Sequence, residues 1–327
     1  MLQENTILVR LVMMIDATPQ PPAPLKRGRG KPKRYSEKLI LKALVIMIIR
    51  RLYSAYALLT FLEQDDPVIK QLRALLYEDG QFPSRRTWER RLGKVPDKLP
   101  ALIGCFGRHL SALLKPWTEG MEIVSCDSTP LKTGGGVWHK KDREQGHIPH
   151  TTIDVEAHWS KSGWHGWWYG WKLHLAVSVG KIWIPLAAEL TVANTYDSTV
   201  APQLFDQLSR QVRFILGDKH YNDPDLHKHC EKRGRLLITP QPGAYPHKDD
   251  GVELRRLFHK LRSQSIEPFN SLFKTVFDWR ARMPFKGFQR TKLFALGAVF
   301  LYQLVLLYQF KQSLNLGLSI KPLLRAA

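Results

Sequence analysis

The spacing of apolar residues changes near residue 120 of this 327-residue chain. Before that point, apolar residues recur three and four positions apart, most clearly from Ser36 to about Leu62, and this spacing predicts helices. After it, short apolar runs alternate with helical patterns, and helices are predicted at 199–210 and 223–232. The predicted strands are 122–127, 172–179, 182–190, 213–217 and 236–239. The order of elements indicates a helical region followed by an α/β domain.

These patterns divide the chain into segments. A Pro-rich, basic sequence predicts a flexible N-terminal arm over 1–35, because such a segment buries too little apolar area to fold alone. A helical region (36–118), an α/β domain (119–312) and a C-terminal tail (313–327) are expected to follow. Within the α/β domain, the stretch 131–170 is rich in His, Gly and Trp, and we interpret it as an insert.

The net charge of the chain limits the classes of partner that it is expected to bind. The formal net charge is +20, and the isoelectric point is near 9.9. A balance this basic predicts a polyanionic partner, and nucleic acid is favoured over an anionic membrane surface. The three cysteines form no CxxC pair, so neither a disulfide framework nor a cysteine zinc site is indicated. A cytoplasmic protein that associates with the nucleoid through DNA is therefore expected.

One apolar run could be either a membrane-spanning helix or a buried core helix. Residues 293–310 are only marginally long enough to cross a bilayer, and they contain Gln303 and Gln309. We interpret the run as a buried C-terminal helix. The first 18 residues carry Glu4 and Asp16 and do not have the pattern of a secretory signal.

Two basic segments are candidates for contact with DNA. The first is the N-terminal arm, whose charged residues include Lys31, Lys33 and Arg34. The second is a helix that Ser84 would cap and Gly93 would end. Its basic residues are Arg85, Arg86 and Arg90. With the preceding helix it resembles a helix-turn-helix, whose second helix enters the major groove, although an ordinary solvated basic helix has the same composition.

Three acidic residues lie where a fold could gather them. Asp127 and Asp218 each follow an apolar run that predicts a buried strand, and the Ser-Thr-Pro after Asp127 predicts that its strand ends there. Glu267 lies in a later helical pattern, with Lys274 two turns away on the same face. Carboxylates from separate elements are natural ligands for Mg²⁺ or Mn²⁺, and a pair of such ions supports phosphodiester displacement. Lys274 is placed to hold a neighbouring DNA phosphate.

Other readings of these residues stay open. Taken singly, a strand-end Asp is more often a turn or cap residue, and a helical Glu is usually solvated. Asp223 and Asp225, which flank Pro224, are expected to be helix caps. The His spacings in 131–170 match no zinc pattern, and the neighbouring Trp residues favour packing or base stacking, so we interpret the insert as a DNA-facing flap.

Several motifs resemble those of DDE transposases of bacterial insertion sequences. They are CDSTP at 126–130, YGWKLHL at 169–175, GDKHYN at 217–222, IE at 266–267 with Lys274, and MPFKG at 283–287 before the apolar run 293–307. The similarity covers roughly 120–310. In this family an Arg stands four residues before the Glu, whereas here that position is Ser263 and Arg262 lies one residue earlier. Arg262 is the candidate for that DNA-binding role.

The resemblance implies an RNase H-like mixed sheet flanked by helices. It implies that Asp127, Asp218 and Glu267 form a catalytic, metal-binding triad that uses two Mg²⁺ ions, with Mn²⁺ able to substitute. It also implies cleavage of double-stranded DNA at terminal inverted repeats, transfer of the 3′-OH into target DNA, and a homodimer on paired ends. A structure-specific nuclease or resolvase of the same fold, and a DNA-binding protein without catalysis, are the alternatives.

Overall fold

The computed structural model describes residues 6–22, 34–115, 122–147, 150–163, 166–240 and 252–327. The N-terminal part is all helical, as predicted. Its helices are α1 (Ile7–Met14), α2 (Glu37–Ile49), α3 (Ala55–Leu62), α4 (Pro67–Ala74), α5 (Arg85–Leu92) and α6 (Leu99–Leu113). Ser or Asp side chains cap α2, α3, α4 and α5 by accepting backbone N–H groups of the first turn.

The helical region differs from the prediction at two places. The long helix expected from Ser36 to Leu62 is broken between α2 and α3, where Arg51 has a φ of 56°. The expected arm 1–35 is also too long, because α1 lies within it and its Leu8 and Leu11 are fully buried. The predicted DNA contacts Lys31 and Lys33 lie outside the described residues, whereas Arg34 is described and exposed.

The rest of the chain forms a mixed α/β structure, which confirms the predicted fold class. The strands are β1 (Ile123–Lys132), β2 (His158–Ser162), β3 (Gly166–Ser178), β4 (Pro185–Val192), β5 (Phe214–Leu216) and β6 (Leu236–Ile238). The sheet order is β4–β3–β1–β5–β6, and β2 pairs with the first residues of β3. Strands β1, β3 and β4 are antiparallel, whereas β5 and β6 run parallel to β1.

Strand β1 is longer than predicted. It continues through Ser128, Thr129 and Pro130 to Lys132 instead of ending at Asp127. The reason is that β5 pairs with β1 only as far as Ser125, so the second half of β1 is hydrogen-bonded to β3 alone. Proline is tolerated in such a one-sided segment because it need not donate a ladder hydrogen bond on its open side.

The predicted insert 131–170 is in part ordinary sheet. Strand β2 and the first five residues of β3 form a hairpin, with Trp159 opposite Tyr169. The part outside the sheet contains the short helix α7 (Lys140–Glu144) and a bridge between Gly136 and Ile153. A DNA-facing role for this region stays a prediction.

Helices from the second half of the chain cover the sheet. They are α8 (Asp197–Asp206), α9 (Pro224–Glu231), α10 (Val252–Ser263), α11 (Ile266–Val276), α12 (Phe288–Lys311) and α13 (Ile320–Ala326). The predicted tail is therefore partly helical, and Ile320 of α13 is buried. The side chain of Asp223 caps α9 by accepting the N–H groups of Asp225 and Leu226, as predicted for a cap residue.

Helix α12 is the central core helix. It is long and apolar enough to cross a membrane, but 94% of its most apolar window is buried inside the protein. Its Gln303 donates to the carbonyls of Ile103 in α6 and Pro185 in β4, at 2.9 and 2.8 Å. One hydrophobic cluster runs from α1 through the sheet to α13, so the helical region and the sheet share a core.

Candidate active site

Asp127 and Asp218 are brought together by the pairing of two parallel strands. The last pair between β1 and β5 joins Ser125 to Leu216, and each aspartate lies two residues beyond its member of that pair. Parallel neighbours present their carboxyl ends at the same edge of a sheet. The two carboxylates therefore lie where β1 and β5 separate.

The two aspartates differ in their surroundings. The Asp127 side chain is 23% exposed, and it accepts the Ser128 backbone N–H at 2.9 Å and a contact from Asn270 Nδ2 at 3.4 Å. Asp218 begins a 3₁₀ turn and accepts the backbone N–H of His220 at 2.8 Å. Both carboxylates line the cleft, each fixed by a backbone N–H of the residues that follow it.

Helix α11 adds a polar face to the same cleft. Glu267, Asn270, Ser271 and Lys274 recur three and four residues apart, and all four line the cleft together with Asp127 and Asp218. The opposite face of α11 is anchored by Phe269 and Phe273, both fully buried. The amphipathic pattern of this helix thus directs the predicted Glu and Lys towards the aspartates. The cleft has a volume of about 770 Å³.

Arg262 lies in a different setting from a DNA-contacting residue. Its side chain is 7% exposed, and its Nη1 donates to the carbonyls of Cys126 at 2.8 Å and Leu216 at 3.3 Å. The guanidinium therefore lies in the gap where β1 and β5 diverge and joins the two strands through these carbonyls. Its Nη2 lies 3.9 Å from Asp127 Oδ1. This geometry fits a positioning residue for the aspartates rather than a phosphate contact.

The surroundings of Asp127 disfavour the ionised form of its carboxyl group. Burial and the neighbouring carboxylate of Asp218 raise the pKa of Asp127 to about 7, and Arg262 only partly offsets them. Burial also lowers the pKa of Lys274 to about 8. A perturbed acid and a perturbed base in one cleft are typical of a functional site.

The match to known families decides what this site belongs to. Residues 118–304, more than half of the chain, match the family described as transposase DDE domain. The chain belongs to that family. The predicted family is confirmed, while an origin in a bacterial insertion sequence stays a prediction.

Similar solved structures are also transposases. A piggyBac transposase synaptic complex with hairpin DNA is 11% identical, with a TM-score of 0.40, and the match covers 99% of this chain and 76% of that one. A Mos1 mariner paired-end complex with Mn is 14% identical, with a TM-score of 0.21, and covers 86% of this chain and 80% of that one. With TM-scores below 0.5, these likenesses carry no argument about this DDE transposase.

The donor set of the transposase cleft suits a hard divalent cation. Asp127, Asp218 and Glu267 supply carboxylate oxygens. Burial, with a further contribution from Asp218, raises the pKa of Asp127, and a bound cation would offset both effects. Within the described ranges, no three acidic, His or Cys side chains already converge on one point. Asp127 and Asp218 form the close pair, and Glu267 is an exposed side chain of the same cleft.

The sequence did not indicate two features of the site. Asn270 contacts Asp127, and only its place between Glu267 and Lys274 on one helix face could have pointed to it. Asp197 accepts Ser128 Oγ at 3.0 Å and pairs with Lys172 at 3.1 Å beneath the strand that carries Asp127. No local pattern distinguishes that aspartate from a helix-cap residue.

The predicted recognition helix of the transposase lies on a basic surface. Arg91 is buried and fixes α5 to the start of α2 by donating to the Tyr35 carbonyl at 2.7 Å. Arg85 pairs with Glu89 and lies over the Tyr56 ring, whereas Arg86 and Arg90 are exposed. A groove of about 1160 Å³ beside α5 is lined by Arg34, Arg90, Lys94 and Lys98, among others.

Proposed function

We propose that this DNA transposase cuts phosphodiester bonds at the ends of an insertion sequence and joins the freed 3′-OH to target DNA in the cleft between β1, β5 and α11. The observation that carries the proposal is the position of Asp127 and Asp218 at one strand fork, with Glu267 and Lys274 in the same cleft. The match to the DDE domain favours transposition over the nuclease or resolvase alternative.

The roles of the residues follow from their places. Asp127, Asp218 and Glu267 would hold Mg²⁺, with Mn²⁺ able to substitute, and the family resemblance implies two ions. Bound divalent cations supply activation of the attacking oxygen and charge stabilisation at the phosphate. Lys274 binds a phosphate oxygen of the DNA strand and neutralises charge on it. Arg262 holds the carbonyls of Cys126 and Leu216, one and two residues before the aspartates, and so helps to fix the separation of the two carboxylates.

The test is cleavage of duplex DNA carrying the element's terminal repeat, identified by sequencing the DNA that flanks the gene. With Mg²⁺ we expect nicks at the repeat end and, when target DNA is added, strand-transfer products. Chelation with EDTA is expected to abolish both, and Mn²⁺ is expected to restore them. Nicks without strand transfer would support the nuclease alternative. Binding without any cleavage would support the non-catalytic one.

We also propose that α5 and the arm bind the transposon DNA. Positive charge is exposed to solvent at Arg34, which lines the groove, and at Arg86 and Arg90. Lys31 and Lys33 precede Arg34 in the chain. Each Lys or Arg that neutralises a phosphate releases counterions, so affinity depends on salt. A homodimer on paired ends, acting at the nucleoid in the cytoplasm, is part of this proposal.

Replacing Arg86 and Arg90 together by Gln is expected to weaken binding to terminal-repeat DNA by about 10-fold or more at moderate salt, because two positive charges near the phosphates are lost. Gel-shift titration measures the change. The matched control is Arg85→Gln, whose side chain is already paired with Glu89, and it should have the smaller effect. Unchanged affinity of the double variant would count against α5 as the recognition helix, and an equal loss from Arg85→Gln alone would assign the main contact to Arg85.

A further inference from the structure

Three cations gather along the α11 side of the cleft. Lys274 and Arg280 both line the cleft, and Lys132, at the end of β1, lies near enough to Lys274 to help lower its pKa. Among the described residues, none of the three forms an ion pair. Asp127 is an opposite charge near Lys274. Lys132 and Arg280 are exposed, so their charges are available to an anion from outside the chain.

The turn after α11 fixes Arg280 in this cluster. Asp278 has a φ of 57°, and the backbone N–H of Trp279 donates to the Lys274 carbonyl at 2.8 Å. This is a helix end closed by one left-handed residue, which reverses the chain. The buried Trp279 ring packs on Phe273, so Arg280 is carried back along the helix, where its Nη2 lies 3.4 Å from Ser271 Oγ.

The same turn is tied to the end of β1. The N–H of Met283 donates to the carbonyl of Lys132 at 2.9 Å, and the N–H of Gly134 donates to that of Phe285 at 3.0 Å. Backbone hydrogen bonds therefore hold the segment carrying Arg280 beside the residue Lys132. The three cations come from β1, α11 and the turn, and their spacing is set by the fold rather than by flexible side chains alone.

The charge pattern of the cleft matches a DNA strand. Glu267 and Lys274 are seven residues apart, which is about 10 Å along a helix. A duplex rises about 3.4 Å per nucleotide of one strand, so Lys274 lies within roughly three nucleotides of Glu267. The Arg280 guanidinium contacts Ser271, which is only four residues after Glu267. Burial lowers the pKa of Lys274, Asp127 offsets part of this effect, and Lys132 and Arg280 add to the lowering. A phosphodiester relieves this repulsion.

We propose that Lys132 and Arg280, together with Lys274, form a binding site for the DNA backbone within about three nucleotides of the phosphodiester held at the acids. The site positions the strand for cleavage. It rests on the proposed function for the identity of the scissile bond, whereas the phosphate contacts themselves require only that the cleft binds DNA.

The first experiment measures binding to a short random-sequence duplex in EDTA as a function of salt, so that no cleavage intervenes. For Arg280→Gln and Lys132→Gln, we expect the slope of log K against log salt to fall by about 0.9 each, one phosphate contact per residue. The control is Arg213→Gln, which removes the same charge at the opposite end of β5 from Asp218, and its slope should equal that of the unsubstituted protein. Unchanged slopes for both test variants would overturn the proposal.

The second experiment locates the contact. Single neutral methylphosphonate linkages are placed along each strand of the terminal-repeat duplex. One linkage within about four nucleotides of the cleaved bond should weaken binding by the unsubstituted protein, and Arg280→Gln should be insensitive to that same linkage. Equal sensitivity of both proteins at every linkage would refute the assignment. If terminal DNA is not cleaved but the slopes fall, the transposition proposal fails and the backbone site stands.

Discussion

Asp218→Ala is expected to reduce cleavage of terminal-repeat DNA by at least about 10³-fold, because a lost ligand removes several kcal/mol of charge stabilisation at the reacting phosphate. Asp218 lies two residues after β5 at the β1–β5 fork, and among the described residues it is the cleft carboxylate that this strand positions. Single-turnover cleavage with Mg²⁺ measures the effect. DNA binding in EDTA should remain, since the change removes a negative charge from a basic protein.

Asp223→Ala is the matched control for this prediction. Asp223 lies five residues from Asp218, but its carboxylate caps α9 and does not line the cleft. Its loss should cost about 1 kcal/mol of stability, the usual cost of a lost cap, and should leave the cleavage rate nearly unchanged. Undiminished cleavage by Asp218→Ala, or equal losses from both variants, would exclude Asp218 from the catalytic triad.

Asp127→Asn is expected to abolish cleavage and, at the same time, to stabilise the metal-free protein at pH 8. The pKa of Asp127 is raised from 3.8 to about 7 by burial and by Asp218. At a pH above that value the carboxyl is ionised in both states, and its ionisation costs more free energy in the folded state than in the unfolded state. The free energy of unfolding is therefore lower, by about 2–4 kcal/mol, than it would be with a neutral side chain. Removing the charge should raise the melting temperature by roughly 3–6 °C for a chain of this size.

The pH window of this effect follows from the direction of the shift. Because the folded-state pKa lies above the unfolded one, the folded protein loses stability as the pH rises from about 4 to about 7. Below this window the carboxyl is protonated in both the folded and the unfolded state. Asp127→Asn should therefore have the same melting temperature as the unsubstituted protein. Thermal melts at several pH values in EDTA measure the difference. The raised pKa would be contradicted if Asp127→Asn melted at a lower temperature than the unsubstituted protein at pH 8 and at the same temperature at pH 4.

Thermal melting with and without Mg²⁺ tests whether the cation binds at Asp127, and it needs no assay of activity. A cation that binds only the folded protein raises its melting temperature, and it relieves the repulsion between Asp127 and Asp218. We expect Mg²⁺ at pH 8 to stabilise the unsubstituted protein more than Asp127→Asn. Equal stabilisation of both would place the cation elsewhere.

Parts of the site were readable from local sequence. Glu267 and Lys274 share a helix face because their spacing is two helical turns, and the structure has them on one face of α11. The apolar runs before Asp127 and Asp218 predicted strands because each run is a buried segment of a sheet. The end of β1 was not readable, because a proline signals a stop only when both sides of a strand are paired, and here β5 pairs with β1 only to Ser125.

Arg262 shows what local reasoning could not provide. Its offset from Glu267 identified it as a DNA-contact candidate, but its partners are carbonyls of Cys126 and Leu216. Cys126 is 136 positions away in the chain. No spacing rule covers a contact of that separation, because only strand pairing in the folded sheet brings the two carbonyls together.

The sequence by itself determined the order of a helical region before an α/β domain, the basic charge that suits DNA, and the three acidic residues offered for a metal site. Those features depend on residue type and on short-range periodicity. The tertiary structure alone decided that β1 and β5 bring Asp127 and Asp218 side by side, that Arg262 supports them from within, and that Lys132 joins Arg280 beside Lys274. Those features depend on strand pairing and chain reversal between distant segments, which no local pattern encodes.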